Sequence, residues 1–230
     1  MIENIRVTLY DIFGFFVPGA VLLGAILIAL WAIFLPGLPL GSLDVTTWTS
    51  VLFAILAYVA GHLSQAIGNQ LQRFSSSREE RTLEGCGDGA LPESMVNAAR
   101  QKAADLVGVR AETLNSRWLF RICNTAIAQR GDYGDRDVYI YREGFYRGLA
   151  VAFLVLSASL LLRAARPGAA LDIAGSVRSV DWTVWLFLAA LTLGTSWLMF
   201  KRFQRFADYS VTHAVISFLT LHEGQEPPHR

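Results

Sequence analysis

Within the apolar stretch VLFAILAYVAGHLSQAIGNQLQ, from Val51 to Gln72, the residues Tyr58, His62, Gln65, Asn69 and Gln72 recur every three or four positions. On a helix this spacing gathers them into one polar stripe. Phenol, imidazole and amide groups in hydrocarbon cost free energy unless partnered, so the stripe must meet another helix, a second subunit or water in a cavity. Two uses follow. Tyr58, His62, Gln65 and Asn69 are either hydrogen-bonded glue inside one subunit's bundle or the lining of a hydrated lumen between subunits. Taken alone, these residues leave both open.

A second stripe, Ala54, Ala57, Gly61, Ser64 and Gly68, lies about 100° around the same cylinder. Small side chains let helix backbones approach closely in lipid, and Gly144, Gly148 and Ala152 repeat the device every four residues further along. Gly61, Ser64, Gly68, Gly144 and Gly148 are therefore expected to carry helix packing.

Other chemistry is poorly supported. His62 and Ser64 are two residues apart and diverge by about 200° on a helix, which rules out a base and nucleophile pair within it. His62, His213, His222 and His229 lack the spacing of metal ligands, and Asp132, Asp135 and Asp137 are explained by capping and solvation. The GCGDG run at 85–89 has no preceding strand and no Walker lysine, so it is read as a connector. No catalytic set, metal or cofactor is expected.

The elements that must position the stripe are membrane spans. The 230-residue chain is 53% hydrophobic with mean hydropathy +0.38, although 17% of it is charged, which indicates the membrane class. Its formal charge of +1, with arginines and acids interleaved, argues against a nucleic-acid partner. Cys86 and Cys123 lack paired metal or disulfide spacing and are read as reduced thiols.

Four stretches are long and apolar enough to span: 13–35, 51–72, 145–162 and 183–200. The first lacks a basic start and a small-residue exit, so it is expected to be retained rather than cleaved. Pro18, flanked by Gly14 and Gly19, predicts a kink near its start. Arg73, Arg78 and Arg81 after the second span, and Lys201, Arg202 and Arg205 after the fourth, put those ends and both termini in the cytoplasm. Arg163, Arg166 and Arg178 in the second external loop weigh the other way but are outnumbered.

The expected fold class is all-α: a polytopic membrane protein with four transmembrane helices and a helical cytoplasmic region. Residues 1–72 form the first span pair, 73–144 the cytoplasmic helices, 145–200 the second pair, and 201–230 a cytoplasmic amphipathic helix and tail. Pro92 opens a helix carrying Met95, Val96, Ala99, Ala103 and Val107, and another follows from about Ala111. Their apolar faces need cover, from their own hairpin or from neighbouring subunits. From Arg136 onward a single helix is expected to run unbroken into the third span. Arg147 at its membrane entry and Asp11 at that of the first span make a candidate interface charge pair, the alternative being that both reach headgroups.

At Tyr10-Asp11-Ile12-Phe13-Gly14, the nearby Pro18-Gly19, and Phe145-Tyr146-Arg147, the chain resembles small multi-pass inner-membrane proteins of bacteria. Some proteins of that general kind look like membrane effectors of antiphage defence, in which oligomers damage the inner membrane once triggered. The resemblance implies an inner-membrane location and assigns no functional residue. Together with the polar stripe it leads to the expectation of a homo-oligomer in membrane lipid, forming a pore or membrane-perturbing effector gated by its cytoplasmic helices. The alternative is a non-conducting anchor or regulatory subunit for a soluble cytoplasmic protein partner.

Overall fold

The computed structural model describes residues 12–34, 46–72, 78–85, 90–130, 136–165, 170–173, 176–179 and 181–221. It is built from helices, four of them long and apolar enough to cross a membrane: Gly14–Phe34, Thr47–Gln70, Val138–Ala164 and Trp182–Thr220. The chain is a multi-pass membrane protein by that measure. It divides into two compact units, Met1–Leu71 with Gly144–Lys201, and Gln72–Glu143 with Arg202–Arg230.

In the first unit a π-helical turn, Ile12–Phe16, leads into helix α1, Val17–Phe34. The wide turn falls where Pro18 lacks the N–H that a regular helix would use, so the expected irregularity at Pro18 takes this form. Helix α2, Thr47–Gln72, crosses α1 at a contact between backbones. A Cβ on Gly19 would land on the Ala57 carbonyl, and one on Gly61 would land on the Phe15 carbonyl. Only glycine permits such an approach.

Helix α6, Arg136–Ala164, supplies the third span, and Ala152 packs with Leu22 and Ala60 in a small buried cluster. The fourth span belongs to helix α7, Trp182–Thr220. Two buried hydroxyls tie α6 and α7 together: Ser157 Oγ donates to the Ala189 carbonyl at 2.9 Å, and Ser196 Oγ donates to that of Ala150 at 2.7 Å. Each satisfies a polar group that hydrocarbon would penalise. Between α6 and α7 the chain forms a short antiparallel hairpin, β1 Ala170–Ile173 with β2 Ser176–Ser179, where an external loop was expected.

The second unit holds α3, Arg78–Leu83, α4, Glu93–Val107, and α5, Ser116–Arg130, with a 3-10 turn at Ala111–Thr113 between the last two. Pro92 sits at the N-cap of α4, and Gly108 closes it in the left-handed region (φ 73°), donating its N–H to the Ala104 carbonyl. The apolar faces of α4 and α5 are covered from within the chain, by Val211, Ala214, Val215 and Phe218 of α7. Lys102 Nζ donates to the carbonyls of Phe218, Leu219 and Leu221, satisfying acceptors that the end of α7 leaves open. Arg81 and Asp208 form a largely buried ion pair at 2.8 Å.

The amphipathic segment after the fourth span is not a separate helix. Lys201 and Arg202 end the apolar run, yet from Thr195 to Thr220 there is neither glycine nor proline, so nothing breaks the backbone where the hydropathy changes. Charge delimits a span without delimiting a helix.

Candidate functional site

The stripe on α2 splits into two environments. Gln65 is 8% exposed and lies within the first unit, among the π-turn, α2 and α6. Its Oε1 accepts from Arg147 Nε at 3.1 Å and from Nη2 at 3.0 Å. Its Nε2 donates to the Gly14 carbonyl at 3.3 Å and to the Gly144 carbonyl. A primary amide has two donor hydrogens and two acceptor lone pairs, and all four are used. The reverse amide orientation would set the –NH2 against a guanidinium and the oxygen against two carbonyls, so the network fixes the orientation.

The Gly14 carbonyl is four residues before Pro18, which has no hydrogen to give it. Gln65 supplies the missing donor from another helix. The small residues make room for this arrangement. A Cβ on Gly148 would come within 3.0 Å of Pro18 Cβ and 3.1 Å of both Gln65 Nε2 and Ser64 Oγ. A Cβ on Gly68 would meet the Arg147 stem at 2.5 Å, and one on Gly144 would lie 3.5 Å from the Gln65 amide. Ser64 is fully buried and donates to the Gly61 carbonyl at 2.7 Å. The structure therefore brings Gly61, Ser64, Gly68, Gly144 and Gly148 together around one polar node.

Tyr58, His62 and Asn69 are exposed. Tyr58 is 43% exposed, and the His62 ring stacks on Phe15 at 4.2 Å and meets Tyr58 edge-on at 4.8 Å. Rings cover part of the imidazole, but among the described residues no hydrogen bond to it is found. About 100–120° round the helix from His62, Leu56 and Leu63 are exposed as well. Asp11 lies outside the described residues, and with it the proposed Asp11 to Arg147 pair.

A further charged residue escaped the sequence reading. Arg163, in the last turn of α6, has no exposed surface, and its guanidinium carbon lies 4.0 Å from the Trp31 ring centroid and 5.7 Å from that of Trp185. Sequence alone marks it as one of three loop-side arginines. The available signal was a pair of tryptophans at the ends of other spans, which an aromatic belt explains equally well.

Among the described residues no group of three or more His, Cys, Asp or Glu side chains is placed to hold a metal ion. Compared with protein-family models, with curated proteins and with solved structures, the chain matches none of them.

Proposed function

We propose that the protein is a homo-oligomer in the membrane, in which the Tyr58, His62 and Asn69 edge of α2 faces neighbouring copies and the water admitted between them, so that the assembly acts as a pore or membrane-perturbing effector. One observation carries the reading: His62 lies well inside the span Thr47–Gln70 and is exposed. An imidazole left there in contact with acyl chains is unfavourable, and a second copy or a hydrated seam relieves the cost. Gln65 supports this lining by holding α2 in place and is not itself part of the lumen.

The continuous helices α6 and α7 each contribute residues to both units, which supports control of the spans by the helical body. The inner membrane as the site of action and antiphage defence as the setting rest on the sequence resemblance at residues 10–14, 18–19 and 145–147 alone. Liposomes carrying the purified protein should release a trapped ion, and His62→Leu should abolish release while the protein still inserts. Release unchanged by His62→Leu would remove the lining role.

The second reading, a non-conducting anchor for a soluble partner, draws on Leu106, Val107 and Val109, which are exposed around the end of α4. It requires stoichiometric recovery of a soluble protein with the intact chain, lost on Leu106→Asp, and no ion release.

A further inference from the structure

Arg163 and Trp185 present donors without acceptors. Nε, Nη1 and Nη2 of Arg163 and Nε1 of Trp185 are all buried, and among the described residues none has a hydrogen-bond partner. A guanidinium stays charged at any physiological pH and holds its N–H groups in one plane. The guanidinium carbon lies over the Trp31 ring, where a cation is attracted, and this leaves the N–H groups unanswered. Such a charge is retained in an apolar bundle when something of opposite sign completes it.

What is missing is chemically narrow. Every unsatisfied atom is a donor and the net charge is positive, so the complement is an anion rich in acceptor oxygens, held by the paired geometry that guanidinium offers to phosphate. Position narrows it further. Trp31 is in the last turn of α1, which ends at Phe34, Arg163 in the last turn of α6, which ends at Ala164, and Trp185 in the first turn of α7. All three therefore sit within about one turn of a span's end, roughly 5 Å, the depth at which headgroup phosphates and aromatic belts lie.

We propose that the N–H groups of Arg163, with the Trp185 indole N–H, bind a phosphate oxyanion, supplied by a phospholipid headgroup of the leaflet at that end of the spans. The guanidinium has no exposed surface in the lipid-free chain, so the phosphate enters only as the surrounding side chains yield, and lipid once bound exchanges slowly and survives detergent washing. The pore reading is independent of this site.

The test uses the full-length protein, purified in detergent and washed free of bulk lipid. Native mass spectrometry should show one retained phospholipid per protomer. Retention should fall at least tenfold in Arg163→Met and severalfold in Trp185→Phe, which keeps the ring and the charge and guards against a merely unfolded arginine variant. A second arm compares melting in inorganic phosphate with melting in chloride at equal ionic strength. A phosphate-specific shift without retained lipid, lost in either variant, keeps the oxyanion site and overturns the lipid source. Equal retention and equal melting in the wild type and in a folded Trp185→Phe or Arg163→Met overturn the proposal.

Discussion

Gln65 donates a hydrogen bond to the carbonyl of Gly14, an acceptor that Pro18 leaves without its usual helical partner. A break in one span is thus closed by a side chain from the next, and the same amide receives two N–H groups of Arg147 from a third. Three segments depend on one polar residue. In lipid, where no water stands in for a lost partner, this makes Gln65 a structural residue.

Replacing Gln65 by leucine removes the acceptor of two guanidinium N–H groups and the donor to two carbonyls. The expected loss is about 2–3 kcal/mol of stability in detergent, of the size found when buried hydrogen-bonded groups lose partners. Arg147→Met should be costly too, and the Gln65→Leu, Arg147→Met double variant should lose about 1–2 kcal/mol less than the sum of the two. Strict additivity in thermal or denaturant unfolding would show that the two residues do not act together.

Gly19→Ala and Gly24→Ala add the same methyl group to the same helix. The first sets a Cβ on the Ala57 carbonyl, whereas the second meets nothing within 4 Å. Gly19→Ala should destabilise by about 1–3 kcal/mol as an overpacked contact. Gly24→Ala should be neutral or stabilising by about 0.5–1 kcal/mol, since alanine is the better helix former. Melting temperatures of the two variants in one detergent check the contrast.

Cys123 is fully buried in the core of the second unit, and burial pushes its thiol from 9.0 up to about 12. With Cys86 replaced by serine, the folded protein should resist maleimide at pH 8, with labelling of Cys123 appearing as the core unfolds. The sign of the alkaline effect follows. Below the ordinary thiol value both states hold the proton and stability is unaffected. As pH rises from 9.0 toward about 12 the unfolded thiol ionises first, so folded stability declines across that window. Cys123→Ala should remove this part of the alkaline slope, measured by unfolding at successive pH values.

Much of the architecture is local and therefore legible. Apolar length marked the four spans, Pro92 marked the start of α4, and glycine spacing marked the seams now found around Gln65. What escaped depends on relations between distant segments. Gln65 and Asn69 share one stripe, yet only Gln65 reaches a carbonyl orphaned by a proline some fifty residues earlier, and no periodicity on α2 records that. Arg163 reads from sequence as an external-loop charge, because its place between Trp31 and Trp185 depends on two other helices. The extent of α7 was missed because the hydropathy changes at Lys201 while the backbone has no reason to stop.

The central claim is that the His62 edge of α2 meets another copy of the chain. Cysteine at position 62, in a background with Cys86 and Cys123 replaced, should form a disulfide-linked dimer under mild oxidation in native membranes, as should cysteine at 58. Cysteine at 56 or 63, exposed but about 100–120° round the helix from His62, should not. Efficient cross-linking at 56 and 63 with none at 58 and 62 would contradict the account.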